Sequence, residues 1–573
     1  MKNTKYSSTS ALLILAMASS SQAQTTYTFS ANALGAYNWN APTGSGWDLK
    51  PASASDTTLN FSNGTSALPA AQGTSTTLTA NNDIPGVLQL NALNMTYRGP
   101  ASGTAPSVLI SGNQLDFRSN GLVNPTLLFN TAGNVMPSVT ISSNILFTNT
   151  AAITTTSNAT FSGVLSGAGG FTKAGSGTLI VQNTATATGG TALGNIDVSA
   201  GTLQIGANGG FGSLGKGTIT LSGSGSLNIA RASNSFNLDN TITGSTSGTV
   251  NFNLNNSATS TAFAVTLTQR NTYTAATNLQ AFAYSSVGAP TLKNGIDNAL
   301  STTTALTINT VTGSTAVMTY DLSGFNQTIG SLASGAGVST TNGIVTNSGT
   351  AKTLTISNAT GSTTFAGRIS GNVFLTKSGA STQILSGTNT YSGDTIVEQG
   401  TLALSGPGSI NSSALTVGSS ATFRNTGVAY SNALKVAEGA LFTGTTSAFT
   451  PTSLTLTGDL TDSAFTSVNF VSSLTKDGTL TVNLTNIAAG DYTLISSSTL
   501  GKFTSVTVTG TSLASSDDNS SFTGDSGTFR YTYSNVNNLL KIENLSAIPE
   551  PSTYAALAGL AILGFALRRR SKA

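Results

Sequence analysis

The chain has 573 residues, of which 62 are glycine and only 8% are charged. It contains no histidine and no cysteine, which excludes Ser-His-Asp and Cys-His catalysis, imidazole and thiolate metal ligands, iron–sulfur clusters and disulfide bonds. Threonine, serine, asparagine and glycine replace charge and favour strands and turns, so a long coiled coil is excluded as well.

Residues 1–23 have the three parts of a secretory signal peptide. Lys2 and Lys5 precede the apolar run 11–18, and the small-residue sequence Ser21-Gln22-Ala23 follows it. The run is too short to span a bilayer. We therefore expect export of the chain and cleavage after Ala23.

An internal repeat organises the body of the chain. Residues 161–181 and 365–385 align without a gap at an offset of 204 residues, and both contain Thr-Lys-x-Gly. Each copy continues to a Gly-Thr-Leu sequence, which begins at Gly201 in the first and at Gly400 in the second. We therefore expect an N-terminal β region or cap at 24–155, repeat blocks at 156–250 and 361–450, and a degenerate β-solenoid at 251–360.

A shorter unit recurs within the blocks, with apolar residues at alternate positions on both sides of a small or polar turn. Leu203 and Ile205 form one such pair, and Leu402 and Leu404 another. Period-two alternation indicates half-buried strands, and the unit returns about every 20 to 24 residues, the length of one solenoid rung. The prediction is an all-β fold whose body is a right-handed parallel β-helix or solenoid.

The second block resembles a known repeat family. Its sequence Gly387-Thr-Asn-Thr-Tyr391-Ser-Gly, followed by Thr395-Ile-Val and Gly400-Thr-Leu, is similar to the autotransporter-associated β-strand repeat. The first block departs from that pattern because no tyrosine follows Asn183. The segment from Trp39 to Trp47 resembles the opening of such proteins, and the resemblance implies that the paired tryptophans cap the solenoid.

Residues 451–546 are predicted to form a small C-terminal β-domain. Alternating segments such as 478–484 indicate strands, and Asp477-Gly478 and Gly490-Asp491 are typical of tight turns. We interpret the segment Asn537–Pro549 as a strand followed by a linker.

The last 27 residues, 547–573, contain a motif, a short apolar segment and a basic cluster. Pro549-Glu550-Pro551 precedes the apolar run 555–567, which ends at Arg568-Arg569-Arg570. The run predicts a short transmembrane helix, and the arginines are expected to stop the chain and hold its C-terminus in the cytoplasm. A plain C-terminal membrane anchor is the alternative interpretation.

This tail resembles the PEP-CTERM sorting signal of diderm bacteria. The resemblance implies recognition by an exosortase-like sorting enzyme, processing near Pro549-Glu550-Pro551, transient anchoring in the inner membrane, and delivery to the cell surface or extracellular matrix.

The two signals also account for the basic charge of the chain. Six of the 23 basic residues lie in them, which leaves 17 basic residues against 20 acidic ones. The exported body is therefore slightly acidic. Because nucleic-acid binding needs a basic patch, we expect no nucleic-acid partner.

Three motifs were weighed for other chemistry. Gly210–Gly217 has the spacing of a phosphate-binding loop, but a strand sequence follows it, so a turn between rungs is expected. Gly524-Asp525-Ser526-Gly527 resembles a serine-protease segment but lacks a histidine base, and is interpreted as a turn. Asp517-Asp518-Asn519 with Asp525 is either a solvated loop or a weak site for a hard cation, and we expect no metal and no other cofactor.

Catalysis on glycans would need paired carboxylates. In the recognisable rungs the acids are scattered singly, at Asp197, Asp394, Glu398 and Glu438. We therefore expect no catalytic residue, unless folding brings distant carboxylates within about 5 to 9 Å of one another in a cleft, as a glycan-active β-helix enzyme requires.

The leading hypothesis is an exported structural or adhesive β-solenoid of the cell surface or extracellular matrix. Its expected partners are exopolysaccharide or neighbouring copies. A specific polysaccharide-binding adhesin is the alternative, and it predicts surface aromatic residues, with these candidates: Tyr273, Tyr284, Tyr391 and Tyr430. Packing or capping within the fold is the interpretation that we favour for each, because aromatic residues also suit strands.

Overall fold

The regular elements of the described residues are all β-strands. The computed structural model describes residues 24–41, 46–64, 66–71, 76–131, 136–183, 193–254, 262–281, 289–310, 317–335, 337–357, 360–428, 430–444, 453–459, 468–470, 478–485, 492–497, 503–508, 511–512, 514–515, 521–526, 529–534 and 539–544. The chain divides into two compact units, one formed by 1–203 with 211–217 and the other by 204–210 with 218–573.

The first unit is built from short strands with alternating burial. Its strands are β1 (Thr25–Phe29), β2 (Gly35–Asn38), β3 (Thr57–Phe61), β4 (Thr77–Asn82), β5 (Leu88–Leu90), β6 (Ala92–Met95), β7 (Ser107–Gly112), β8 (Leu115–Phe117), β9 (Thr126–Phe129), β10 (Ser138–Ile141), β11 (Ile145–Phe147), β12 (Ala151–Thr155), β13 (Ala159–Phe161), β14 (Leu165–Ser166), β15 (Phe171–Ala174), β16 (Thr178–Val181) and β17 (Ile196–Val198). The strand β18 (Thr202–Gly209) begins in the first unit and ends in the second.

Parallel pairing between successive rungs builds the core of the first unit. Leu59 pairs with Leu93, Leu93 with Leu127, and Leu127 with Ile153. Adjacent strands of a sheet lie about 4.8 Å apart, so each column of inward side chains packs continuously from rung to rung. These residues are fully buried or nearly so, as period-two alternation requires.

A cluster of aromatic side chains packs beside the N-terminal strands of this unit. Trp39 and Trp47 meet edge to face with ring centroids 5.2 Å apart, and both contact Phe61. Phe29 packs against Trp47 at 5.1 Å. Trp39 is fully buried. The two tryptophans therefore pack together over the apolar interior next to β1 and β3.

The second unit contains the remaining strands. They are β19 (Ile219–Leu221), β20 (Ser226–Arg231), β21 (Phe236–Leu238), β22 (Ile242–Gly244), β23 (Thr249–Leu254), β24 (Ala264–Leu267), β25 (Ala276–Ala281), β26 (Thr291–Asn294), β27 (Ala305–Thr310), β28 (Met318–Asp321), β29 (Gln327–Ile329), β30 (Ser331–Ser334), β31 (Gly343–Ile356), β32 (Ser362–Phe365), β33 (Arg368–Lys377), β34 (Thr382–Leu385), β35 (Thr395–Val397), β36 (Thr401–Leu404), β37 (Ala414–Val417), β38 (Thr422–Asn425), β39 (Ala433–Ala437), β40 (Leu441–Gly444), β41 (Ser453–Asp459), β42 (Val468–Phe470), β43 (Gly478–Thr485), β44 (Tyr492–Ser497), β45 (Phe503–Val508), β46 (Thr511–Ser512), β47 (Ala514–Ser515), β48 (Ser521–Ser526), β49 (Phe529–Ser534) and β50 (Leu539–Asn544).

Rung length is regular in the second repeat block. Leu375 pairs with Thr395, Thr395 with Leu415, and Leu415 with Leu434, so each rung has 19 or 20 residues. In the region predicted to be degenerate, Leu279 pairs with Ile308 and the rungs are longer, but the described strands keep their parallel pairing. The parallel solenoid-like stacking is confirmed for the described residues, and its right-handed sense stays a prediction.

The parallel ladder extends past residue 451, where the C-terminal β-domain was predicted to begin. Leu434 of β39 pairs with Leu454 of β41, which pairs with Leu480 of β43. Antiparallel pairing joins β44 to β50, β50 to β49, and β49 to β48. The described strands from β41 to β50 thus combine stacked parallel pairing with an antiparallel end. The proposed domain limits stay predictions.

Candidate functional site: the repeat motif

The predicted sorting and processing residues lie outside the described residues. These are Ala23, Pro549, Glu550, Pro551, Arg568, Arg569 and Arg570, together with the apolar segment 555–567. Within the part of the chain that the structure describes, no helix is long and apolar enough to cross a membrane. The chemistry that the structure does describe is that of the internal repeat.

The lysine of Thr-Lys-x-Gly points into the core. In the first copy, Lys173 occupies an inward position of β15 and is fully buried. Its Nζ donates hydrogen bonds of 2.9 to 3.0 Å to the carbonyl oxygens of Ala174, Gly175 and Ala200. The lysine therefore ties the turn after its own strand to the turn before the next Gly-Thr-Leu strand.

The second copy repeats this arrangement. Lys377 is fully buried at the end of β33, and its Nζ donates to the carbonyl oxygens of Ser378, Gly379 and Gln399 at 2.7, 2.6 and 3.3 Å. Burial lowers the pKa of both ammonium groups to about 8. In the described part of the chain neither lysine forms an ion pair, so backbone carbonyls alone stabilise the buried cations.

The glycine of Gly-Thr-Leu is required by the same turn. Gly201 and Gly400 have φ angles of +64° and +70°, a conformation that side chains disfavour. A Cβ on Gly400 would lie 2.4 Å from the carbonyl oxygen of Gly379, and one on Gly201 would lie 2.9 Å from Nζ of Lys173. The lysine and the glycine of the repeat therefore form one packed turn.

The Asn-Thr-Tyr segment of the second block forms a buried polar cluster. Asn389 accepts a hydrogen bond from the backbone N–H of Ile369 and donates to the carbonyl oxygen of Ser409, at 2.8 Å each. The hydroxyl of Tyr391 hydrogen-bonds to Oγ1 of Thr395 at 2.6 Å, and burial raises the pKa of this tyrosine to about 12. The motif thus links neighbouring rungs from the inside.

Comparison with known proteins agrees with this geometry. A family model of the passenger-associated-transport-repeat matches residues 171–205 and 375–404, and one of the PEP-CTERM protein-sorting motif matches residues 547–570. The chain carries two passenger-associated-transport repeats and a PEP-CTERM sorting motif. Neither the curated proteins nor the solved structures contain a match. Both resemblances predicted from the sequence are confirmed.

These matches identify an exported surface repeat protein that an exosortase-type system sorts. Each matched repeat contains one of the buried lysines, and each ends on its Gly-Thr-Leu strand. The matched families are a repeat and a sorting signal, and neither is enzymatic.

The structure contains a second cluster of this kind, at Asn271 and Tyr273, outside the matched residues. The side-chain oxygen of Asn271 accepts from the N–H of Ile242 at 2.7 Å, as Asn389 does in the matched repeat. The hydroxyl of Tyr273 hydrogen-bonds to Oγ1 of Thr277 at 2.7 Å, and burial raises the pKa of Tyr273 to about 12.

This cluster was not evident from the sequence because its signal is short. The only shared pattern is Asn-Thr-Tyr-x-x-x-Thr, at residues 271–277 and 389–395. The longer rungs of the 251–360 region hide the rest of the repeat.

Three of the four tyrosines considered for a glycan-binding surface are interior residues. Tyr273 and Tyr391 are fully buried, and Tyr430 is 3% exposed. Tyr430 donates to the carbonyl oxygen of Ala433 at 2.7 Å. Tyr284 lies outside the described residues. The glycan-surface interpretation was wrong for these three, and the packing interpretation is confirmed, because each ring is buried and its hydroxyl has a hydrogen-bond partner.

The structure describes two of the three other motifs. The glycine-rich segment 210–217 leads directly into β19, so the expected turn is confirmed and no helix follows it. Gly524, Asp525 and Ser526 were interpreted as a turn, but they lie in β48, where Asp525 pairs with Arg530. That interpretation was wrong because the antiparallel partner β49 draws these residues into a ladder. Residues 517–519 lie outside the described part of the chain.

Two of the single acids of the rungs lie next to hydroxyl residues. Asp197 pairs in register with Thr172, and Oδ1 of Asp394 accepts a hydrogen bond from Ser413. Searched over the described residues only, the fold contains no group of three acidic side chains able to hold a metal ion.

Proposed function

We propose that the protein is a non-catalytic structural or adhesive element of the cell surface or extracellular matrix. Export and sorting follow from the two matched families. The structural or adhesive role is supported by how the rungs use their residues, as β20 illustrates: Leu227 and Ile229 are fully buried, and Asn228 between them faces outward. Along the strands apolar side chains fill the interior, and the outward positions are mainly uncharged polar residues, with charged ones such as Lys435 among them.

The observation that carries this proposal is the polar but weakly charged outer surface. A stacked ladder satisfies its own backbone groups, so it does not depend on surface charge to stay folded. Hydroxyl and carboxamide groups can each donate and accept hydrogen bonds. Such a surface suits many weak contacts with polysaccharide or with neighbouring copies.

The sorting route is part of the proposal. We propose cleavage after Ala23, recognition of Pro549-Glu550-Pro551 by an exosortase-like enzyme, and transient anchoring in the inner membrane by the segment 555–567. Arg568, Arg569 and Arg570 then hold the C-terminus in the cytoplasm until processing, since positive charges favour that side.

The sorting proposal can be tested by replacing Pro549, Glu550 and Pro551 together with alanine. We expect the variant to stay in the inner-membrane fraction, while a control with alanine at Ser552 and Thr553 reaches the surface. Immunoblots of inner-membrane, outer-membrane and matrix fractions measure the distribution. Normal surface delivery of the triple variant would contradict the sorting proposal.

The structural role is tested in the cells that produce the protein. Deleting the protein is expected to weaken cohesion of the matrix, measured as release of polysaccharide and cells under shear, and the wild-type chain should restore it. Release of new reducing ends from that polysaccharide by the purified exported protein would show turnover, and would refute the non-catalytic proposal.

A further inference from the structure

One outward sheet face of the second unit carries a dense array of carboxamides. It is formed by four strands in parallel register, β20, β23, β25 and β27. In one column Asn228 pairs with Asn251, and Asn251 with Asn278; in the next, Asn253 pairs with Gln280, and Gln280 with Asn309. We call these six residues the carboxamide face, and all six are partly exposed.

Hydrogen bonds between rungs hold these side chains in place. Nδ2 of Asn278 donates to Oδ1 of Asn251 at 2.9 Å, and Nδ2 of Asn253 donates to Oδ1 of Asn228 at 2.6 Å. Asn228 in turn donates to Oε1 of Gln204 at 2.8 Å. Each of these bonds runs from a later rung to an earlier one, so the amides share a common orientation.

This ladder leaves binding capacity unused. A carboxamide has two N–H donors and an oxygen with two lone pairs. A ladder bond uses one donor of one amide and one lone pair of the next, so further donors and acceptors remain along the face. Because the ladder already fixes the side-chain orientations, a ligand would not have to bear the full entropy cost of ordering them.

The composition of the face restricts its partner. The other outward residues of the four strands are Ser226, Thr249, Ala276, Ala305 and Thr307, and none of the outward residues is charged. None of the described exposed large hydrophobic residues lies on these strands. A protein partner is recognised mainly by an apolar and aromatic centre, and an anionic polymer by lysine or arginine. The face offers hydrogen bonds alone.

We propose that the carboxamide face binds an uncharged, extended polysaccharide through its hydroxyl groups. Successive rungs present equivalent amides about every 4.8 Å, which lets one chain of sugars meet several of them in turn. Each contact is weak, and their number gives the affinity. This inference rests on the proposed location of the protein at the cell surface or in the matrix.

The test compares two pairs of amides on the full exported protein. Asn251→Ala/Asn278→Ala removes a ladder pair from the carboxamide face. Asn38→Ala/Asn81→Ala removes a pair of the same kind elsewhere, where Nδ2 of Asn81 donates to Asn38 at 2.9 Å. The probes are cellulose as the uncharged polysaccharide and alginate beads as the anionic one, in 0.05 and 0.5 M salt.

We expect wild type and the Asn38/Asn81 variant to sediment with cellulose equally at both salt concentrations. The Asn251/Asn278 variant should bind about tenfold more weakly, the effect of losing one or two hydrogen bonds to the ligand. Equal cellulose binding by both variants, no cellulose binding by wild type, or a salt-sensitive preference for alginate would each overturn the proposal.

Two controls separate this inference from the proposed function. Circular dichroism and the unfolding temperature show whether the Asn251/Asn278 variant is folded; if it is not, Gln280→Ala replaces it and is expected to lower binding about threefold, as loss of a single weak hydrogen bond would. Matrix cohesion is measured in cells that carry each variant. Normal cohesion without cellulose binding by wild type would refute the carboxamide face alone, whereas lost cohesion that the wild-type chain fails to restore would count against the structural role.

Discussion

The buried lysines of the repeat predict an unusual pH dependence of stability. Burial lowers the pKa of Lys377 in the folded protein from 10.5 to about 8. Between these two values the unfolded chain therefore binds more protons than the folded chain, and stability rises with pH. One such group contributes a slope of about 1.4 kcal/mol per pH unit in that interval. Below pH 8 both states are protonated, and the slope disappears.

The measurement is urea-induced unfolding of the exported protein at several pH values from 7 to 9.5, followed by circular dichroism. The range stops there because burial raises the pKa of Tyr391 to about 12, so ionisation of the unfolded tyrosine lowers stability above pH 10. Wild type is compared with Lys377→Met, which keeps a long side chain but cannot titrate. Above pH 8 we expect the free energy of unfolding of the wild type to rise with pH more steeply than that of the variant, by about 1.4 kcal/mol per pH unit.

A matched control removes a lysine from the surface. Lys435 is exposed on β39 of the same unit, and Lys435→Met should keep the wild-type slope. Equal slopes for wild type and Lys377→Met between pH 8 and 9.5 would show that the buried ammonium keeps its ordinary pKa. That result would refute the conclusion that burial lowers the pKa of Lys377.

Three further predictions concern single side chains of the fold, each measured by thermal unfolding. A side chain in the left-handed backbone conformation costs about 1–2 kcal/mol of stability. Gly400→Ala should destabilise the fold by more than this, because its Cβ would meet the carbonyl oxygen of Gly379. Gly406 also has a left-handed backbone but open space around it, so Gly406→Ala should show the backbone cost alone. Equal losses would argue against the packed turn. Tyr391→Phe should cost about 1 kcal/mol for its buried hydrogen bond, and no loss would mean that the hydroxyl is dispensable. Trp39→Ala should cost about 3–5 kcal/mol, and a loss under 1 kcal/mol would rule out its capping role.

The strands and their inward residues could be predicted from local sequence. Alternation at Leu203 and Ile205, and at Leu402 and Leu404, gives inward pairs because successive side chains of a strand point to opposite faces. The Thr-Lys-x-Gly and Gly-Thr-Leu sequences also marked the two repeats correctly. These features depend on neighbours within a few residues, so the chain shows them directly.

The candidate site was less predictable because it depends on contacts between rungs. The sequence did not show the partners of Tyr273 and Tyr391. Each tyrosine hydroxyl bonds a threonine four residues along the chain, and that threonine bonds a hydroxyl on the following rung. The carboxamide face was also not evident, since Asn251 and Asn278 become neighbours only through a rung of 27 residues. Variable loop lengths conceal such partners.

By itself the sequence determined that this protein is exported and sorted to the cell surface, that its body is rich in strands, and where its two repeats lie. Those properties lie in contiguous residues: the PEP-CTERM motif, the repeat sequences and period-two alternation. The tertiary structure decided what the repeats do with their polar groups. A lysine within an apolar strand has no local explanation, and it is accommodated because stacking brings the carbonyl oxygens of two turns around its ammonium group. Only the folded chain sets the register between distant rungs. That register brings single polar residues together, in buried clusters inside the fold and in a ladder on its outer face.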